Sequence, residues 1–255
     1  MSIVRVARAA LHYGEEPVFG EKSGAVFFSG CSLRCVFCQN DAVSRHGFGK
    51  NISTERLAQI FRELEEQGAE NIDLVTGGHF AERIAEAMEI YRPKVPVIWN
   101  SGGYDRPETL KLMEPYITYY LPDIKYADNA LAAKFSCVRD YADTAFAAVG
   151  EMIRQKGKEN VIVRHLVLPL HVKNTEAVLR RIAEEFGNDT WISLLLQYTP
   201  VVHSDEYPEL NRVLTKRECA RAAALLDQYG FTNGYIQERE SAEKKYIPEF
   251  DLTGV

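Results

Sequence analysis

The chain has 255 residues, and its 30 basic and 36 acidic side chains give a formal net charge of −6. This length suits one large α/β domain with a substantial core. The acidic balance, without a dense basic run, argues against a nucleic-acid partner. The N-terminal stretch around Arg5 and Arg8 lacks the apolar core of a signal peptide, and no later segment has the apolar length of a membrane span. We therefore expect a cytoplasmic protein without a membrane partner.

Apolar runs and helical patterns alternate along the chain. The runs predict parallel strands covered on both faces, because their apolar character is mostly continuous. They span residues 25–29, 72–76, 95–100, 117–124, 161–168 and 191–197. These six strand–helix repeats predict an α/β fold, an open partial (βα)6 barrel, in one domain over residues 1–255. Within it we expect a lead-in (1–23), a core barrel (24–200) and a C-terminal helix and tail (201–255).

Helical periods fall between the strands. The first clear one has Ser53 or Thr54 as its N-cap, and a second begins after Thr175. The last helix opens at Thr215, which forms a capping-box pattern with the glutamate three residues later, and Gly230 can close it.

Three of the five cysteines, Cys31, Cys35 and Cys38, form a C-x3-C-x2-C run directly after the first predicted strand. Thiolates are soft ligands suited to iron–sulfur clusters, copper(I) or zinc. Three thiolates leave one iron of a four-iron cluster open to a small molecule, so the spacing favours a reactive iron–sulfur centre. A zinc site with His46 as fourth ligand is the alternative. A disulfide is disfavoured, because nothing else in the chain indicates secretion.

The other two cysteines do not suggest a disulfide framework. Cys219 shares a helical face with apolar residues and is interpreted as part of the core. Cys137 is either a thiol near the site or a small buried residue, and the frequent burial of cysteine favours the second interpretation.

Right-handed βαβ connections would place the C-terminal ends of all strands on one rim. Polar and glycine residues gather at these ends, as a cofactor site requires. They are Thr76, Gly77, Gly78, Asn100, Ser101, Asp123, Lys125, Arg164 and Gln197. Each group also has a purely structural interpretation. Residues 76–78 can be a simple strand-to-helix turn, Asp123 and Lys125 can form a salt bridge that fills the barrel, and Ser101 and Gln197 can be solvated rim residues.

Phe37 precedes the last clustered cysteine, and the motif with this aromatic residue resembles the signature of the radical S-adenosylmethionine (SAM) superfamily. Further runs, including HYGEEP, FFSGC, WNSGGY, YLPDIKY, RHLVLP and QYTP, are similar to its pyruvate formate-lyase activating enzyme-like branch and span most of the chain. The resemblance implies a partial barrel, a 4Fe–4S cluster on the three cysteines, and SAM bound at the open iron. Reductive cleavage of SAM would yield methionine and a 5′-deoxyadenosyl radical.

The same resemblance implies SAM contacts at the rim. The turn at residues 76–78 takes the place of the glycine motif that contacts the SAM amino group. Lys125 or Arg164 would bind the SAM carboxylate, and Asp123 would bind the amino group or a monovalent cation. The other expected cofactor contacts are Phe37, Asn100, Ser101 and Gln197. His79 stays open between pocket group, substrate contact and buried histidine, and the role of His165 is undetermined.

The resemblance implies hydrogen abstraction from a substrate, with a glycine of a glycyl radical enzyme as the leading case. Another peptide, a small molecule, and a non-catalytic zinc or iron–sulfur module are the alternatives. Without a second cysteine cluster, electrons must come from a flavodoxin- or ferredoxin-type donor. An open barrel leaves a lateral gap for a peptide loop. The tail after Glu238, with Lys244, Lys245, Tyr246 and Phe250, would form at most a partial lid.

Overall fold

The computed structural model describes residues 3–201, 203–237 and 249–255. The strands in these ranges are β1 (Ile3–His12), β2 (Ser23–Phe28), β3 (Lys50–Ser53), β4 (Asn71–Val75), β5 (Val97–Ser101), β6 (Tyr119–Pro122), β7 (Ile162–Leu166), β8 (Trp191–Leu195) and β9 (Gly234–Gln237). The helices are α1 (Asp41–Ser44), α2 (Thr54–Glu66), α3 (Ala81–Ile90), α4 (Pro107–Met113), α5 (Asn129–Ser136), α6 (Tyr141–Lys156), α7 (Val172–Phe186) and α8 (Lys216–Gln228).

The strands form two sheets, in the orders β3-β1-β2-β4-β5-β6 and β7-β8-β9. Strands β2, β4, β5 and β6 are parallel, as are β7, β8 and β9. Parallel bridges from Tyr120 to Val161 and from Asp123 to Arg164 join β6 to β7. The six strands expected from the sequence are therefore neighbours in one curved layer, and the α/β partial-barrel fold class is confirmed.

Three strands were not expected. β1 and β3 pair antiparallel with β2 and with β1, and β9 extends the parallel layer beyond β8. β9 is a four-residue strand with alternating exposure, so it lacks the apolar run by which the other parallel strands were found. In the described residues nothing pairs with the outer edge of β9, and β3 is the edge strand at the other end of the layer, so the barrel stays open between β9 and β3.

The C-terminal segment, residues 249–255, lies along β1. The Ala9 amide donates to the Thr253 carbonyl over 2.9 Å, and Leu252 donates to Ala7 over 3.2 Å. Phe250 packs edge-on against Phe27, with ring centroids 5.5 Å apart. This segment therefore covers part of the open side. The other residues expected in the partial lid lie outside the described residues.

The helix signals differ in how well they locate helix ends. Ser53 caps α2 by accepting a hydrogen bond from the Arg56 amide, and the capping box at Thr215 is present. Gly230 follows α8 in a left-handed conformation, with φ +70°. α7, however, begins at Val172, before the position expected from Thr175. The Thr175 hydroxyl hydrogen-bonds a buried histidine ring, so this threonine is not the N-cap.

The barrel interior is layered. Its lower end holds an apolar cluster of Phe19, Ile98, Leu121 and Ile162, with Tyr119 and Trp191 packed against it. Charged and polar side chains lie above this layer, toward the carboxyl ends of the strands. None of the helices in the described ranges has both the length and the apolar character needed to cross a bilayer.

Candidate functional site

The cysteine loop, residues 31–38, follows β2 and is docked on the end of α5. The Arg34 amide donates to the Ser136 carbonyl over 3.1 Å, and the Val36 amide donates to the Phe135 carbonyl over 2.9 Å. Gly30, with φ +95°, makes the turn into the loop, where a residue with a side chain would be strained. Helix α5 thus fixes the middle of the loop.

Each of the three thiols has a hydrogen-bond partner from the protein. The pairs are the Leu33 amide with Cys31 Sγ (3.4 Å), Ser136 Oγ with Cys35 Sγ (3.0 Å) and Ser44 Oγ with Cys38 Sγ (3.1 Å). Burial raises the pKa of Cys31, and it raises the pKa of Cys35 to about 12. At Cys31 and Cys35 the protein alone therefore favours neutral thiols, and metal binding must displace these two protons.

The donor set fits a 4Fe–4S cluster better than a zinc ion. In the described ranges no three His, Cys, Asp or Glu side chains are grouped around one ion position. A four-iron cluster needs no such group, because each thiolate binds a different iron. His46, the fourth ligand in the zinc alternative, is 70% exposed and lies 3.1 Å from Asp41. Three soft ligands on one loop match the cluster and leave one iron open.

A cleft of about 940 Å³ opens beside Cys31. The turns after β4 and β5 line it, and they include Thr76, Gly78, Ser101 and Gly102. Thr76 adopts φ +59°, a left-handed conformation that is costly for a β-branched residue. Its amide donates to the Asn100 carbonyl over 2.8 Å. The predicted glycine turn thus borders a cleft next to the cysteine loop.

His79 also lines the cleft. Its Nε2 atom lies 2.8 Å from the Ser29 carbonyl oxygen, and its ring packs on Phe80 with centroids 4.3 Å apart. His79 is exposed, which excludes the buried-histidine alternative, and it connects the β4 turn to the residue that precedes Gly30. This contact holds the entrance of the cysteine loop.

Asp123, Lys125 and Arg164 form a charged clamp at the same rim. One carboxylate oxygen of Asp123 bonds Lys125 Nζ, and the other lies 3.0 Å from Arg164 Nε. Their side chains are only 16–19% exposed. Burial alone would raise the pKa of Asp123, but the two cations outweigh it and lower that pKa. Burial would lower the pKa of Lys125, and Asp123 raises it above its ordinary value.

The backbone holds the clamp in place. Gly103 has φ +77°, and a Cβ there would lie 2.0 Å from the Asp123 carbonyl oxygen. The buried Tyr141 hydroxyl lies 2.8 Å from the carbonyls of Gly102 and Asp123, and it accepts the Lys125 amide over 3.0 Å. A Cβ on Gly102 would lie 3.1 Å from Leu33 and 3.8 Å from Lys125 Cε. The cysteine loop and the clamp are therefore neighbours.

A buried polar network continues from the clamp into the barrel. Arg164 donates to Asn100 Oδ1 over 2.5 Å, and Asn100 Nδ2 donates to Asp73 over 3.0 Å. Glu15 lies 3.9 Å from Arg164. Burial raises the pKa of Glu15, Glu16 and Asp73. Of these, Asp73 could have been found from the sequence, since it is an acid inside an apolar strand.

The remaining predicted contacts are distributed around the rim. Ser101 hydrogen-bonds Asp105 while facing the cleft. Gln197 donates to Gln237 of β9 over 2.7 Å. Phe37 is buried and meets Tyr198 edge-on, with centroids 6.2 Å apart. The structure thus groups Asn100 with the clamp, and Ser101 with the glycine turn, while Gln197 pairs with the unexpected strand.

The burial of His165, Cys137 and Cys219 settles where these three residues lie in the fold. His165 is fully buried, with Nδ1 2.6 Å from the Ile124 carbonyl and Nε2 3.0 Å from Thr175 Oγ1. Burial lowers its pKa to about 4. Cys137 is exposed in a left-handed residue that ends α5, so the interpretation as a buried residue is wrong. Cys219 packs against the core, as expected.

An open α/β barrel with a three-thiol loop, a cleft and a charged clamp on one rim has the features of a cofactor-dependent enzyme. Residues 25–182 match the model of the radical SAM superfamily, and the chain belongs to that superfamily. Membership implies a 4Fe–4S cluster and SAM as cofactors.

The chain is also similar to individual proteins, one by sequence and two by fold. An uncharacterized protein of Methanocaldococcus jannaschii is 32% identical over 230 residues, which are 86% of this chain and 66% of that protein. SuiB of Streptococcus suis bound to S-adenosylmethionine superposes with a TM-score of 0.56 at 12% identity, over 85% of this chain and 50% of SuiB. The structure of anSMEcpe with bound AdoMet and the Cp18Cys peptide gives 0.54 at 12% identity, over 79% and 56%. The chain thus spans just under two thirds of the first protein and about half of the two structures.

Proposed function

We propose that this enzyme cleaves SAM at a 4Fe–4S cluster held by Cys31, Cys35 and Cys38, and that it abstracts hydrogen from a protein substrate. The observation that carries the proposal is the shared rim, where Gly102 lies between the cysteine loop and the clamp: a Cβ there would lie 3.1 Å from Leu33 and 3.8 Å from Lys125 Cε. When bound, the cluster and SAM supply a 5′-deoxyadenosyl radical. The chain's own residues bind and orient the cofactor and exclude water.

The charged clamp is suited to the zwitterionic end of SAM. Lys125 or Arg164 takes the SAM carboxylate, and the turn at Thr76 and Gly78 takes the amino group along the cleft wall. Both carboxylate oxygens of Asp123 are engaged by the two cations. A monovalent cation at Asp123 would share these two oxygens with Lys125 and Arg164. Ser101 and Gln197 are the remaining proposed contacts to SAM, and the buried Phe37 packs the cysteine loop against Tyr198.

A macromolecular substrate agrees with the open side of the barrel between the edge strands β9 and β3 in the described residues. Two structures of similar fold contain peptides, namely SuiB bound to precursor peptide SuiA and anSMEcpe with the Cp18Cys peptide. The Asp-x-Lys run shared with the activating enzymes makes a glycine of a glycyl radical enzyme the leading target. Modification of another peptide is the second candidate, supported by those two peptide complexes.

The proposal includes an electron donor of the flavodoxin or ferredoxin type, because reductive cleavage of SAM requires an electron delivered to the cluster. It also places the enzyme in the cytoplasm, where such donors are found.

The test is to reduce the cluster anaerobically with SAM present and to add candidate partner proteins from the same cell. A glycine-centred doublet in the EPR spectrum of the partner, with one 5′-deoxyadenosine per radical, supports activation. The Cys35→Ala variant is the control and should give neither signal. Covalent change of a peptide without a stable radical would favour the second candidate. Rapid turnover of a small metabolite, with no change in any protein, would contradict a macromolecular substrate.

A further inference from the structure

Ser136 is the last residue of α5 and is fully buried beneath the cysteine loop. Its hydroxyl oxygen lies 3.0 Å from Cys35 Sγ and 2.8 Å from the hydroxyl oxygen of Tyr126. Tyr126 is also fully buried, and it follows Lys125 of the charged clamp directly in the chain. The hydroxyls of Tyr126 and Ser136 thus form a chain of two hydrogen bonds that ends at the sulfur of one cluster cysteine.

The direction of these two hydrogen bonds follows from counting hydrogens. A cysteine sulfur that binds iron carries no hydrogen, so the short contact with Ser136 requires the serine hydroxyl to donate. The serine has only one hydroxyl hydrogen, and its oxygen must therefore accept from Tyr126. Burial raises the pKa of Tyr126 well above its ordinary value, which keeps the phenol protonated as a donor. Aligned donors of this kind strengthen one another in a buried environment.

We propose that Ser136, supported by Tyr126, is a positioning residue that sets the reduction potential of the cluster through Cys35. This inference rests on the proposed function, because it requires the three cysteines to hold an iron–sulfur cluster. A hydrogen bond to a cluster sulfur stabilises the more negative, reduced state and raises the potential. The reduced state is the one that radical SAM chemistry uses.

Cys38 offers a matched comparison in the same loop. Its sulfur lies 3.1 Å from Ser44 Oγ, but this pair is only partly buried. Water can replace the Ser44 hydroxyl as donor, whereas water has no direct access to fully buried Ser136. The Ser136→Ala substitution also preserves the backbone bond from Arg34 to the Ser136 carbonyl, so the loop should stay docked.

The experiment is an EPR-monitored redox titration of anaerobically reconstituted protein without SAM. We expect Ser136→Ala to shift the midpoint potential to a more negative value than Ser44→Ala does. Tyr126→Phe should give a smaller negative shift than Ser136→Ala, because it removes only the second hydroxyl. Iron per chain is measured in parallel for each variant.

The outcomes separate this inference from the proposed function. Failure of the wild-type protein to assemble a 4Fe–4S cluster would overturn both. A wild-type cluster that forms and cleaves SAM, with the same potential in Ser136→Ala as in wild type, would overturn only the role of Ser136. If Ser136→Ala does not retain iron, Tyr126→Phe decides: a negative shift supports the inference and an unchanged potential overturns it.

Discussion

At the scale of single residues, the candidate site is a set of buried charges in which Asp123 bonds both Lys125 and Arg164. Asp123 and Lys125 are two apart near the end of a strand, so their shared face followed from the pleat. The bonds of Asn100 to Arg164 and Asp73 could not be predicted, because strands far apart in the chain bring these side chains together. Glu15 and Glu16 belong to the lead-in segment and are buried beside Arg164. No local sequence pattern predicts this burial.

The first prediction concerns SAM affinity. Lys125→Ala and Arg164→Ala should each weaken SAM binding by roughly 1.5–3 kcal/mol, the usual size of a lost charged hydrogen bond. SAM titration of the cluster-loaded protein, followed by EPR, measures this loss. Lys158→Ala removes an exposed ion pair with Asp189 and serves as the control. Unchanged affinity in both clamp variants, with intact clusters, would mean that the carboxylate is bound elsewhere.

The second prediction concerns the pH dependence of stability. His165 has its pKa lowered to about 4 by burial, against an ordinary value of 6.5. The unfolded chain binds a proton at this residue as the pH falls below 6.5, whereas the folded chain resists protonation until about pH 4. Stability is therefore lost across that window, by about 3 kcal/mol for one such group.

His165→Asn keeps a donor toward the Ile124 carbonyl but cannot titrate. Denaturant unfolding at several pH values should show that the difference in free energy of unfolding between wild type and this variant decreases as the pH falls from 6.5 toward 4. Comparison with the variant is needed because Glu15, Glu16 and Asp73 have raised pKa values and change stability in the opposite sense. Parallel pH profiles for the two proteins would contradict the assignment.

At the scale of elements, strong local signals were accurate and weak ones were not. The capping box at Thr215 and the apolar stripe of α2 formed as expected, because each contains its own stabilising contacts. The predicted start of α7 was wrong, because the Thr175 hydroxyl hydrogen-bonds His165 and does not cap the helix. β9 was not predicted, because this four-residue edge strand is only half-buried and its sequence lacks a continuous apolar run.

The third prediction concerns the turn after β5. Gly103→Ala should destabilise the protein by roughly 2–4 kcal/mol, from the left-handed conformation and from the clash with the Asp123 carbonyl. Gly47 is also left-handed, with φ +65°, but a Cβ there meets nothing within 4 Å. Gly47→Ala should therefore cost only about 1–2 kcal/mol. Equal free energies of unfolding for the two variants would refute the packing argument.

At the scale of the whole molecule, the order of parallel strands followed from their continuous apolar runs and from right-handed connections. These rules bring distant strand ends together, so the cysteine loop, the glycine turn and the clamp could be assigned to one rim. The covering of β1 by residues 249–255 could not be predicted, because it depends on a few long-range contacts.

The central claim is that the three cysteines support radical SAM chemistry. The most direct measurement is the amount of 5′-deoxyadenosine formed per chain when anaerobically reconstituted, reduced protein is given SAM. We expect product from the wild-type protein and from Cys137→Ser and Cys219→Ser, and none from Cys31→Ala, Cys35→Ala or Cys38→Ala. No 5′-deoxyadenosine from wild-type protein that carries a full 4Fe–4S cluster, or equal amounts from all five variants, would contradict the claim.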